Sequence, residues 1–174
     1  MSANLYPLFL NLRGRCCVVV GGSDMAELKT RDLLDAGARV VVVSPEGTNQ
    51  MSMWAAPGEI QWKARAYEGG DLRGAFLVVS MADAETNARV FADAEREHIF
   101  CNAVDDIPNC SCYASAVLRR GPLQIAISTA GEQPSLGAEI ASGTGGTVRR
   151  AVWSVGSTAG RSPQGCFSGQ DNQQ

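Results

Sequence analysis

Cys16-Cys17-Val18-Val19-Val20, then Gly21-Gly22-Ser23-Asp24-Met25-Ala26, then Glu27 to Gly37, is the stretch that decides the fold. Its first part is a short apolar, β-branched run, as expected of a strand buried on both faces. The middle is a glycine turn. In the last part Met25, Ala26, Leu33, Leu34 and Ala36 recur at near-helical spacing, and Gly37 stands where a helix stops. Strand, glycine turn and helix in this order make a phosphate site worth testing. The first N–H groups of a helix have no internal acceptor, and the helix dipole adds partial positive charge there.

The turn reads Gly-x-Ser-x-x-Ala, where the dinucleotide fingerprint has Gly-x-Gly-x-x-Gly/Ala. Gly21 suits the tight turn and Ala26 suits close packing of helix on strand. Ser23 occupies the position usually kept bare; its Cβ hinders the approach of a diphosphate, while its hydroxyl offers a bond to a phosphate oxygen. Glycines that serve packing alone are the competing reading.

A chain of 174 residues suits one domain plus an appendage. With 45% hydrophobic and 19% charged residues it reads as soluble and globular, and no apolar run reaches the length of a membrane span. Met1-Ser2-Ala3-Asn4 lacks the layout of a signal peptide, so a cytoplasmic location is expected. A net charge of −3 predicts neither nucleic acid nor an anionic membrane as partner. The six cysteines show no disulfide-scaffold spacing and are expected to be reduced. Cys110-Ser111-Cys112 has no second pair or histidine nearby in sequence, so no metal site is predicted.

Outward from the opening stretch, the pattern continues as alternating strands and helices. Asn4 to Leu12 reads as a lead-in lying across the sheet. Strands are expected at Arg39–Ser44, Ile60–Ala64, Ala75–Ser80 and Phe100–Val104, and helices at Gln50–Ala56 and Glu85–Glu97. That rhythm implies an α/β fold: a Rossmann-like, mostly parallel sheet with helices on both faces. Such sheets bind ligands at the C-terminal ends of their strands, an edge expected to carry Gly21, Glu46, Ser80 and Asp105. After this domain, placed at residues 1–112, comes a small strand–helix segment over 113–141. Its strands are expected at Tyr113–Leu118 and Leu123–Ser128, its helix at Pro134–Ile140. A Gly/Ser-rich tail over 142–174 has no sustained periodicity and reads as disordered.

Few residues offer chemistry. Glu46 follows the second strand, where a carboxylate can bond the ribose hydroxyls and favour NAD over NADP; a solvated loop carboxylate is the equal alternative. Asp105 and Asp106 follow the fifth strand. On an extended chain neighbours point to opposite sides, so one of them at most is a general base in the crevice. His98 is the only histidine and falls at a helix–strand junction, usually a surface position, which argues against a Ser-His-Asp hydrolase.

Several ordered motifs resemble one family. They are Tyr6-Pro7-Leu8-Phe9-Leu10 with Leu12-Arg13-Gly14-Arg15, Val20-Gly21-Gly22, Ala26 with Lys29, Asn102-Ala103-Val104-Asp105-Asp106 with Cys110-Ser111, Arg119-Arg120-Gly121-Pro122-Leu123, and Ala126-Ile127-Ser128-Thr129-Ala130-Gly131 with Pro134. Together, from Leu5 to Ile140, they are similar to the N-terminal module of siroheme synthase, which also occurs as stand-alone precorrin-2 dehydrogenases. The resemblance implies NAD-dependent oxidation of precorrin-2 to sirohydrochlorin, a tetrapyrrole substrate and a homodimer. It implies Asp105 as the catalytic carboxylate and NAD contacts at Gly21, Gly22, Ser23, Asp24, Met25, Pro45 and Glu46. It sets the phosphorylatable serine of the family on Thr129, beside Ser128. Ser23, Leu28, Ala82 and Ser115 depart from the family pattern. Past Ile140 this chain turns into Ser142-Gly143-Thr144-Gly145-Gly146 where the family continues as a charged helix, which suggests a truncation or an altered reading frame. Two alternatives accompany the dehydrogenase reading: a sirohydrochlorin ferrochelatase, alone or bifunctional, and a non-catalytic binding module.

Overall fold

The structure is a computed structural model and describes residues 5–129. The chain divides into two compact units, Met1–Ala114 and Ser115–Gln174. The first unit runs β1 (Cys16–Val20), α1 (Asp24–Asp35), β2 (Arg39–Val43), α2 (Asn49–Ala55), β3 (Ile60–Lys63), β4 (Leu77–Ser80), α3 (Ala84–Arg96), β5 (Phe100–Ala103) and a single 3-10 turn, Ile107–Asn109. Its five strands are all parallel, in the order β3-β2-β1-β4-β5. The fold is the expected Rossmann-like α/β sheet.

The valine runs explain why the sheet forms. β1 is buried at four of its five positions, with Cys17 and Val19 facing one layer and Val18 and Val20 the other. Cys17, Val19, Val40, Val42, Leu77 and Val79 pack with Ala26 and Leu33 of α1 and Met51 of α2. Val18, Val20, Val43, Val78 and Cys101 pack with Val90 and Ala94 of α3. Helices therefore cover both faces, as a parallel sheet requires. Leu12 of the lead-in is buried and Leu10 packs beside it, whereas Tyr6, Leu8 and Phe9 are exposed.

Since β4 pairs with β1 on the side away from β2, the strand order reverses at the β1–β4 junction. Crevices of open α/β sheets form at such a point, beyond the strands' C-terminal ends.

In the second unit, β6 (Ala116–Arg120) and β7 (Leu123–Ile127) form an antiparallel hairpin. The first hairpin strand begins and ends later than its hydrophobic pattern suggests. Arg119 and Arg120 belong to the ladder, and the turn is the pair Gly121-Pro122, with Gly121 at φ +54°. The expected Pro134–Ile140 helix and the tail over 142–174 lie outside the described residues. Among the described residues no helix is long and apolar enough to cross a membrane.

The chain after β3 is held by one buried carboxylate. Asp71, only 8% exposed, accepts from Lys63 Nζ at 2.8 Å, from Arg65 Nη1 and Nη2 at 2.8 and 2.7 Å, and from the Glu68 N–H at 3.0 Å. The forked Arg65 pairing is a strong, charge-assisted geometry. The Arg65 guanidinium, followed by Lys63, holds this carboxyl well below the usual carboxylate range despite its burial.

A carboxyl depressed in the folded state stabilises the fold above its unfolded pKa, about 3.9, and that contribution fades as pH falls through the folded value. Asp71→Asn is expected to lower stability at pH 7 by about 2 kcal/mol, because Arg65 and Lys63 keep access to water. Thermal melts from pH 7 down to strong acid should show the gap between wild type and variant closing at the acid end.

Candidate functional site

The glycine turn is shaped by what lies against it. Gly21 has φ +125°, a conformation that L side chains rarely adopt, and a Cβ there would stand 2.9 Å from the Met81 carbonyl oxygen. Met81 follows β4, and its N–H donates to Val20 O at 2.8 Å. At Gly22 the constraint is tighter: a Cβ would lie 1.8 Å from Glu46 O and 2.7 Å from Ser44 Oγ. Both glycines are therefore demanded by close backbone approach, from the loop after β4 on one side and from the loop after β2 on the other.

That second loop is itself pinned. Ser44 N–H donates to Lys63 O at 3.2 Å, and Trp62 Nε1 donates to Ser44 O at 3.1 Å. The Thr48 hydroxyl caps α2 by accepting from the Met51 N–H. Pro45 and Glu46 are exposed between these anchors, with the Glu46 backbone set against Gly22.

Ser23 is the N-cap of α1. Its Oγ accepts from the Ala26 N–H at 3.4 Å, and its carbonyl accepts from the Glu27 N–H at 3.0 Å. The hydroxyl is thus directed to its own helix and takes one of the donors that an anion would use. The N–H groups of Asp24 and Met25 stand in the first turn, where no intrahelical acceptor exists. Asp24 and Glu27 add carboxylates to this turn, and Glu27 is neutralised by Arg31 at 3.0 Å.

Asp105 stands on the same strand edge, beyond β5. Val104 N–H donates to Ser80 O, continuing the ladder past the strand end, and Asp106 N–H donates to Ala103 O at 3.2 Å. This closes a β-turn with Asp105 at its third position and φ +60°, a place that type II turns usually give to glycine. The chain here is not extended, so the expectation that Asp105 and Asp106 point to opposite sides does not apply. Asp106 accepts from Asn109 Nδ2 at 2.9 Å and is committed to the turn, while the Asp105 side chain is exposed. Only β4 separates β1 from β5, which sets their ends roughly 10 Å apart.

Two expected members behave differently. Ser80 does end β4, but it is fully buried and its hydroxyl bonds Asn87 Oδ1 of α3 at 2.6 Å, away from the edge. His98 is exposed at φ 56°, just past α3, in a left-handed helix end where Ile99 N–H reaches back to Ala94 O. Met81 was missed by sequence reasoning; the one available sign of it was the bare Gly21 facing the next strand of the sheet. Among the described residues no group of three or more His, Cys, Asp and Glu could hold a metal ion.

The fit to a dinucleotide rests on the glycine cradle and the helix start. Gly22→Ala is expected to destabilise the protein by about 3 kcal/mol in chemical denaturation, since a Cβ there meets backbone that cannot swing aside. Ser23→Gly should leave the melting temperature almost unchanged, because glycine is a tolerable cap. It frees the Ala26 N–H, and calorimetry should show NAD binding about tenfold tighter, the worth of one hydrogen bond to a charged group.

A family described as NAD(P)-binding matches residues 8–116. Siroheme synthase 1 of Aeromonas salmonicida (strain A449) is 41% identical over 131 residues, which are 75% of this chain and 28% of that protein. Siroheme synthase of Xylella fastidiosa (strain M12) is 40% identical over 137 residues, 77% of this chain and 29% of that protein. The chain thus spans less than a third of the length of these curated relatives. A solved structure of SirC, precorrin-2 dehydrogenase, matches with a TM-score of 0.62 at 25% identity, covering 88% of this chain and 70% of that one. With its glycine turn, α1 and the whole sheet inside the matched residues, the chain belongs to the NAD(P)-binding family.

Proposed function

We propose that the protein is an NAD-dependent dehydrogenase that oxidises precorrin-2 to sirohydrochlorin in siroheme biosynthesis. One observation carries the reading. An exposed carboxylate, Asp105, is held in a turn conformation better suited to glycine, on the same sheet edge as a bare glycine turn and an open helix start. An acidic residue kept where it costs stability is a mark of a working site. The likeness to SirC, named a precorrin-2 dehydrogenase, and to proteins named siroheme synthase supports the choice of substrate.

The residues fit the dinucleotide. Gly21 and Gly22 leave no side chain over the turn, and the N–H groups of Asp24 and Met25 offer donors to a diphosphate. Ser23, already bonded to Ala26, contributes backbone rather than hydroxyl. Pro45 and Glu46 line the ribose side, with the Glu46 carboxylate as acceptor for ribose hydroxyls. When bound, NAD supplies the hydride acceptor. The chain's own share is to orient the macrocycle at the strand edge and to take a proton from it on an Asp105 carboxylate oxygen. Loss of one hydride and one proton together makes the two-electron oxidation.

The same reading makes the protein a cytoplasmic homodimer acting on a small-molecule tetrapyrrole. A second reading, insertion of ferrous iron as substrate into sirohydrochlorin, is favoured by the name siroheme synthase carried by the relatives. There the Asp105 carboxylate would strip pyrrole protons, and conversion of sirohydrochlorin with iron and no NAD would reveal it.

The decisive variant is Asp105→Asn, because asparagine tolerates the left-handed conformation as well as aspartate does. Following NADH formation with precorrin-2, turnover is expected to fall by about a hundredfold or more. NAD affinity and melting temperature should stay at wild-type values. Full turnover in this variant would remove Asp105 from the chemistry.

A further inference from the structure

Behind Asp105 the chain returns along its own strand. Ser111 and Cys112 N–H groups both donate to Cys101 O, at 2.9 and 3.1 Å, and the Cys101 N–H donates to Ser111 Oγ at 2.9 Å. Asn102 Nδ2 donates to Cys112 O at 3.1 Å. These bonds clamp residues 101–102 to residues 111–112 and close a loop whose outermost part is the Asp105 turn.

One side chain fills the inside of that loop. Cys110 Sγ lies 3.0 Å from Ala103 O and 3.4 Å from Asp106 O, the carbonyls at the two ends of the turn, and 3.8 Å from Asn102 Nδ2. A thiol is a weak donor and a weak acceptor, and here it does both: S–H toward the carbonyls, lone pair toward the amide. We propose that Cys110 is a positioning residue for the reaction, its thiol tying Ala103 to Asp106 so that the intervening turn holds the Asp105 carboxylate at a fixed height above the strand edge. The inference rests on the dehydrogenase reading, in which Asp105 takes the proton.

The chemistry of the thiol suits this role and opposes two others. Burial raises the Cys110 pKa, so the group keeps the proton it donates. A nucleophilic or redox-active cysteine needs the reverse shift. A metal role lacks ligands, since no cluster of three or more candidate groups occurs among the described residues. The clamp also has a cost. Asn102 Oδ1 is buried without a partner among the described residues, which is tolerable only because the same amide's Nδ2 ties down Cys112.

The test compares Cys110→Ala, Cys110→Ser and Asp105→Asn in the full chain, with kcat and KM for precorrin-2 from NADH formation and the NAD dissociation constant from calorimetry. Cys110→Ala is expected to lower kcat about tenfold or more, as a shifted catalytic group does, with NAD affinity within about twofold of wild type. Cys110→Ser keeps a donor at the same place and should restore kcat to within about threefold. A role in packing alone would move the melting temperature and leave kcat in place, so wild-type kcat in Cys110→Ala overturns the proposal. Should that variant fail to fold, Cys110→Val decides: it keeps the bulk between Ala103 O and Asp106 O and removes the thiol's hydrogen bonds, and lowered kcat supports the proposal while wild-type kcat overturns it. If Asp105→Asn is inactive and Cys110→Ala is normal, only this inference falls. A fully active Asp105→Asn removes the reading beneath it.

Discussion

The backbone of Glu46 occupies the space where any side chain at position 22 would begin. Nearly everything at the strand edge follows from that contact. It presses the loop after β2 onto the glycine turn, so that the acidic end of β2 and the start of α1 form one surface. Ser44, Trp62 and Thr48 hold the loop from behind, which makes the contact a property of the sheet rather than of a mobile segment. On the other flank the Met81 carbonyl sets the same demand on Gly21, and here the sheet changes its winding direction. Two bare positions thus allow three chain segments to meet at the place where a ligand is expected.

Most of the fold was legible because its signals are strong and local. Valine runs bounded by glycine and proline mark strands, and a run buried on both faces belongs to a parallel sheet. Apolar periodicity placed two helix starts at Gln50 and Glu85, each one residue inside the observed Asn49 and Ala84, and the capping side chains Ser23, Thr48 and Asp83 bond the first turns of α1, α2 and α3. The failures are positions where packing or backbone geometry, rather than periodicity, decides. That Ser80 would spend its hydroxyl on Asn87 depends on how α3 packs, which periodicity does not encode. The true ends of the hairpin strands were obscured by Arg119 and Arg120, charged residues that read as turn but sit in the ladder. Asp105-Asp106 was read as extended because it follows an apolar strand. Only the backbone trace reveals the sharp turn, and no glycine was present to announce it.

Ser23 shows how one residue can satisfy the fold and compromise the site. As a cap it stabilises α1 by about 1 kcal/mol relative to alanine. It does so with the very N–H that a phosphate oxygen would claim. Asp24 in the same turn also favours the helix through the dipole, and it too opposes an incoming anion. Helix stability and anion affinity therefore compete at this terminus, and the sequence leans toward the helix. In the reading proposed above, binding draws on what remains: the Asp24 and Met25 N–H groups, the bare glycines and the Glu46 carboxylate.

Asp105 poses the opposite balance. A left-handed φ on a residue other than glycine costs of the order of 1 kcal/mol, and glycine at that turn position would be the more stable choice. Aspartate and asparagine bear the strain better than most residues, but only aspartate brings a charge. Asparagine would meet the conformational demand equally well, so conformation alone does not account for a carboxylate at that point. The turn is, besides, held by Asn109 on the Asp106 carboxylate and by the Cys110 thiol on the carbonyls of Ala103 and Asp106. Such investment beneath a single exposed acid is hard to reconcile with a solvated loop. It suits the proton transfer proposed for Asp105, because a base must be within hydrogen-bond reach of the atom it serves before its basicity matters.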